Sequence, residues 1–126
     1  MGTPFKHILL IDDEDDIREV AAMSLETVAG WRVTCASSGA EGVKLAEHAR
    51  PDAILLDVMM PDQDGAQILR LLRQNESTKS IPVVFLTAKV QAIERQRLKE
   101  IGASGTLAKP FDPMKLADQI AQTLGW

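Results

Sequence analysis

The chain has 126 residues, 45% hydrophobic and 25% charged, which suits one globular domain over 1–126 and excludes disorder or a collagen-like repeat. Its single cysteine, Cys35, excludes an internal disulfide and suits a reducing compartment. The net charge of −4 argues against a nucleic-acid surface, and the acidity is concentrated in one run, Asp-Asp-Glu-Asp-Asp at 12–16.

No apolar run approaches the roughly 18 residues that cross a bilayer. Met1 to His7 lacks the apolar centre of a signal peptide. The expected location is therefore the cytoplasm, without membrane insertion.

Two kinds of segment alternate along the chain. Ile8-Leu9-Leu10-Ile11 reads as a first strand, and Ile17, Val20, Ala21 and Val28 then share a helical stripe, with Met23 as helix packing. Trp31 to Ala36 reads as a second strand, holding Trp31 and Cys35. Ser38-Gly-Ala-Glu41 has the form of a capping box opening a second helix. Ala53-Ile54-Leu55-Leu56 is the third strand, and Gly65 is expected to permit a tight turn before a helix with Ile68, Leu69 and Leu72 on one face. Val83-Val84-Phe85-Leu86 is the fourth strand, followed by a looser face of Ala92, Ile93, Leu98 and Ile101. Gly105 to Ala108 is the fifth strand. Asp112 as N-cap and Pro113 at the first helical position then introduce Leu116, Ala117, Ile120, Ala121 and Leu124.

Most of the strands are apolar throughout, as strands of a parallel sheet covered on both faces must be. The order is (βα)5, and strands that need helical crossovers give a three-layer α/β sandwich. In such sheets ligands bind beyond the carboxyl ends of the strands. Strand 1 ends in Asp12 and Asp13, strand 3 in Asp57, strand 4 in Thr87 and strand 5 in Lys109, whereas strand 2 ends in Ala36 and Ser37.

Two carboxylates about 4 Å apart repel by about 4 kcal/mol at an effective dielectric of 20. Lys109 supplies one positive charge against three acids. A hard divalent cation would supply the remainder, and Mg²⁺ suits an oxygen-ligand site that retains waters and accepts a phosphate oxygen. Glu14, Asp15 and Asp16 read as the acidic first turn of a helix, where negative charge is favourable. His7 and His48 lie near no motif and receive no role.

The pattern resembles the receiver domain of two-component response regulators. The resemblance rests on Asp12-Asp13, Asp57, Pro61-Asp62-Gln63-Asp64-Gly65, Thr87-Ala88 and Lys109-Pro110-Phe111, and it covers nearly the whole chain. It implies a flavodoxin-like fold with a parallel five-stranded sheet in the order 2-1-3-4-5. It implies that Asp57 accepts a phosphoryl group from a sensor histidine kinase or a histidine phosphotransfer protein. Asp13 and Asp57 would bind Mg²⁺ through their side chains, Asp12 through a water and Met59 through its backbone carbonyl. Thr87 would hydrogen-bond a phosphoryl oxygen, and Lys109, joined to Pro110 by a cis bond, would pair with the phosphoryl group. Met59 and Lys89 would flank it.

The resemblance further implies a signalling module limited to its own phosphorylation and dephosphorylation, not an enzyme turning over metabolites. A downstream target or a fused output domain would meet the face of helix 4, strand 5 and helix 5, where Arg95, Arg97, Lys99 and Lys115 lie. Thr106 stands where many receivers carry Tyr or Phe, so an inward-swinging aromatic is not expected there. Two competing readings are weaker. Asp13-Glu14-Asp15 offers the Asp-x-Asp of haloacid-dehalogenase-type phosphatases, but the chain lacks a cap. A flavodoxin-like FMN carrier needs a phosphate loop after strand 1, where this chain places five acids.

Overall fold

The computed structural model describes residues 5–60, 64–88 and 92–126, with the side chains of 92–94 outside the described residues. Pro61, Asp62, Gln63 and Lys89 also lie outside them, as do the side chains of Ala92 and Ile93. The apolar runs form β1 (His7–Ile11), β2 (Arg32–Ala36), β3 (Ala53–Asp57), β4 (Val83–Thr87) and β5 (Gly105–Ala108). Between and after them stand α1 (Asp15–Ala29), α2 (Gly39–Ala49), α3 (Gly65–Gln74), α4 (Ala92–Glu100) and α5 (Leu116–Leu124). All strand pairs are parallel and the sheet order is β2-β1-β3-β4-β5, the flavodoxin-like arrangement.

Alternation along each strand divides the core into two layers. Leu9, Ile11, Ile54, Leu56, Val83 and Phe85 face Ile68, Leu69 and Leu72 of α3, Ala46 of α2 and Leu98 of α4. Ile8, Leu10, Leu55, Val84 and Leu86 face Ala21 and Leu25 of α1 and Leu116, Ala117, Ile120 and Ala121 of α5. Strand order reverses between β1 and β3, so the carboxyl ends of those two neighbours flank the crevice where such sheets bind ligands.

Several local expectations need correction. On α1, Ala21, Ser24 and Leu25 are buried, while Val20, Met23 and Val28 are exposed. The seat of α5 sets this rotation: Ser24 Oγ donates to the carbonyl of Pro113, just ahead of that helix. Trp31 precedes β2, and its buried ring meets Trp126 edge-on at a centroid distance of 5.4 Å, with the Lys6 ammonium over Trp126. Ser38 Oγ accepts from the Glu41 amide as expected, but the Glu41 carboxylate reaches back to the amide of Ser37. Asp112 caps a turn: its Oδ1 accepts from the Met114 amide, and regular helix begins only at Leu116, after Lys115 as N-cap.

Gly65 is the first residue of α3, and its role is close approach, not a tight turn. A Cβ there would lie 2.8 Å from the Asp57 carbonyl oxygen and 2.9 Å from both Val58 Cα and Phe85 Cε1. Two of these three neighbours are backbone atoms beside the acidic pocket, so neither can rotate away. Gly65→Ala is expected to cost about 2–3 kcal/mol through this overpacking. Urea unfolding checks it, as a lower midpoint at unchanged slope; a wild-type midpoint would show that the loop yields freely.

Candidate functional site

β1 and β3 end side by side, so the chain leaves the sheet through Asp12 and Asp57 at neighbouring points. Asp12 is fully buried and Asp57 is 4% exposed. The Asp12 amide donates to the Ala36 carbonyl, and its Oδ1 accepts from the Glu14 amide at 2.9 Å. Arg18 Nη1 donates to the Asp12 carbonyl at 2.7 Å. Asp57 Oδ1 accepts from the amide of Met59 at 3.1 Å, while the Met59 side chain is exposed.

Lys109 reaches this pair from the end of β5. Its Nζ lies 2.7 Å from Asp12 Oδ2, 3.3 Å from Asp57 Oδ2 and 3.6 Å from Glu14 Oε1. The Lys109 amide donates to the carbonyl of Thr87, which ties the end of β5 to the end of β4. Thr87 itself is buried. The Lys109–Pro110 bond is cis, as the resemblance implies.

The electrostatics follow from one cation shared among several acids. Burial raises the Asp57 pKa, and the Asp12 charge raises it further; Lys109 and the Met59 amide act against them without cancelling them. Burial alone would lower the Lys109 pKa, but Asp12 and Asp57 outweigh it and hold the ammonium above the ordinary lysine value. The lysine is therefore firmly charged, and the Asp57 charge is under-compensated.

One carboxylate oxygen from each of Asp12, Asp13, Glu14 and Asp57 lies within 4.8 Å of the other three. Asp12 Oδ2 is buried, and its close partner among the described residues is the Lys109 ammonium at 2.7 Å. An all-oxygen donor set of four acids, with one lysine as its described counter-charge, fits a hard divalent cation such as Mg²⁺.

The strand-end residues Asp12, Asp13, Asp57, Thr87 and Lys109 thus meet at one edge of the sheet, with Met59 present through its backbone. Glu14 belongs to the same group, although sequence reasoning assigned it to the acidic first turn of a helix. It is the N-cap of α1, and its proximity to Lys109 has no sequence-local signal. Arg18 was also missed; its i,i+3 spacing from Asp15, with which it pairs, was the available clue.

The family model for the response regulator receiver domain matches residues 8–121. The phosphate regulon transcriptional regulatory protein PhoB of Pseudomonas aeruginosa is 36% identical over 119 residues, covering 94% of this chain and 52% of that protein. Response regulator Rre1 of Synechocystis is 38% identical over 109 residues, covering 86% of this chain and 47% of that protein. The chain spans about half the length of the curated relatives it matches.

Among solved structures, chemotaxis protein CheY4 of Vibrio cholerae superposes with a TM-score of 0.88 at 32% identity, covering 94% of this chain and 98% of that one. The receiver domain of sensor histidine kinase PA1611 from Pseudomonas aeruginosa has a TM-score of 0.84 at 32% identity, covering 97% of this chain and 99% of that one. That structure holds a magnesium ion coordinated in its active site cleft. Sequence, fold and clustered strand ends agree, and the chain belongs to the response regulator receiver domains, signalling modules of two-component systems.

Proposed function

We propose that the protein is a phosphorylation-activated switch in which Asp57 accepts a phosphoryl group from a phosphohistidine of a sensor histidine kinase or a phosphotransfer protein. The observation that carries this reading is the position of Lys109 Nζ, held between buried Asp12 and Asp57 beside further carboxylates. Asp13 and Asp57 side chains, Asp12 through a water and the Met59 carbonyl would hold Mg²⁺. When bound, that ion offsets the charge of the acids and of the incoming phosphoryl oxygens.

The remaining chemistry belongs to the chain. A carboxylate oxygen of Asp57 attacks phosphorus, an O–P bond forms, the donor's P–N bond breaks, and the imidazole departs with a proton. The Met59 amide holds Oδ1 of the acceptor and leaves Oδ2 facing Lys109. Lys109 supplies a fixed positive charge where transferred oxygens gather, and the buried Thr87 hydroxyl at the end of β4 can donate to one of them. The product adds negative charge and new acceptors at the ends of β3 and β4. Each 1.4 kcal/mol by which this favours one conformation shifts its population ratio about tenfold.

The proposal takes 1–126 as a single receiver domain in the cytoplasm, free-standing or joined to an output domain. Among the described residues no helix is long and apolar enough to cross a membrane. A downstream target would meet the face of α4, β5 and α5. The module would catalyse its own phosphorylation and hydrolysis only, with no direct nucleic-acid contact.

Incubation with acetyl phosphate and Mg²⁺ tests the reading. Intact mass is expected to rise by one phosphoryl group, peptide mapping to place it on Asp57, and EDTA to prevent it. A label on Asp13, with repeated turnover of a phosphomonoester, would replace the switch with a phosphatase.

A further inference from the structure

Away from the acidic pocket, the Arg73 side chain makes an unusual set of contacts. It stands in the last turn of α3, half-buried, and among the described residues it makes no ion pair. Its guanidinium spends its donors on three backbone carbonyls. Nη1 donates to Ile81 at 2.7 Å and to Lys79 at 3.2 Å, and Nη2 donates to Gly102 at 2.9 Å.

These carbonyls come from two separate segments. Lys79 and Ile81 lie in the approach to β4, whose far end is Thr87. Gly102 closes α4 at a φ of +109°, where its amide donates to the Lys99 carbonyl and the next amide, of Ala103, donates to Leu98. A Cβ on Gly102 would meet Arg73 Nε at 3.0 Å and Cδ and Cγ at 3.5 Å, so the Arg73 side chain lies directly against this turn.

We infer that Arg73 is a positioning residue: its forked guanidinium bridges the approach to β4 and the exit of α4, and so fixes the α4–β5 face relative to the sheet. The exit turn leads directly into Ala103, Ser104, Gly105 and Thr106. With Arg95 and Lys99 of α4, these residues line a surface cavity of about 200 Å³. Among the described side chains of α4, Leu98 alone is buried. A helix with so little apolar anchorage depends on its end contacts for position. The fork matters because a planar group can address two segments simultaneously, whereas an ammonium acts as a single point charge.

The functional meaning rests on the α4–β5–α5 reading of the output surface, but the bridge itself is testable without any phosphoryl donor. Amide hydrogen exchange of the unphosphorylated full chain is compared for wild type, Arg73→Lys and Arg73→Met. The reporting amides are Gly102, Ala103 and Ser104, which donate to Lys99, Leu98 and Val83. Amides of β1 and of Gly30, at the end of α1, serve as controls.

In Arg73→Met the reporting amides are expected to exchange at least tenfold faster, with the controls unchanged. Arg73→Lys is expected to fall between, since it restores charge but not the fork. Uniform acceleration across reporters and controls would reduce Arg73 to a general stability contact and overturn the inference. So would unchanged exchange at 102–104, or a lysine variant equal to wild type. A negative result leaves phosphorylation of Asp57 untouched, and failure of that phosphorylation leaves the exchange result standing.

Discussion

Asp57→Asn is expected to remove all phosphoryl uptake from acetyl phosphate while making the metal-free protein more stable near neutral pH. The amide has the size of the carboxylate, and its oxygen can still accept from Met59. It lacks the charged oxygen that attacks phosphorus, so intact mass should show no added phosphoryl group. An equal mass gain in wild type and variant would remove Asp57 from its role.

The stability gain follows from the sign of the pKa shift. Burial first and the Asp12 charge second raise the folded-state value. The native state therefore holds the Asp57 proton more tightly than the unfolded chain does. That contribution is complete below the unfolded carboxylate value, about 3.9. It is lost as pH rises through the folded value. Asparagine keeps the site neutral at every pH. Its thermal midpoint at pH 7 without Mg²⁺ should exceed wild type by about 2–5 °C, and the gap should close as pH falls below about 4.

Lys109→Met carries the second large effect, with the opposite sign for stability. Among the described residues, Lys109 supplies the ion pairs of Asp12, Glu14 and Asp57. Removing it leaves buried carboxylates facing one another without a counter-charge. Breaking a buried pair from one side costs about 3–5 kcal/mol. Protonation relieves part of that cost, so the loss should shrink as pH falls towards 4. Added Mg²⁺ should raise the thermal midpoint of this variant more than that of wild type, because ligand linkage acts on a less compensated acid cluster. The rate of mass gain from acetyl phosphate should fall about 100-fold or more. Wild-type stability together with wild-type uptake would show that the lysine acts as a bystander.

Strand ends were legible in the sequence because the apolar cores of β1, β3 and β4 give way to polar residues at Asp12, Asp57 and Thr87. A charged side chain such as that of Asp57 is tolerated where the fully buried central strand emerges, and Lys109 follows directly on the end of β5. Parallel topology then brings those ends to one edge. What escaped was set by partners distant in sequence. The buried stripe of α1 runs through Ala21, Ser24 and Leu25 because α5 and Pro113 pack there, and local periodicity carries no record of α5. Gly65 is required by the approach of Phe85 and of the backbone at 57 and 58. Among the described residues the hydrogen bonds of Arg73 all go to carbonyls, and no side-chain pattern announces a carbonyl. Glu14 joins the acidic pocket because α1 begins immediately beside it.

The edge-on pair of Trp31 and Trp126 has an optical consequence. They are the chain's two tryptophans, it has no tyrosine, and both indoles sit at the edge of the sheet opposite Asp57. Ultraviolet emission therefore reports on the packing of the α5 C-terminus against the α1–β2 junction.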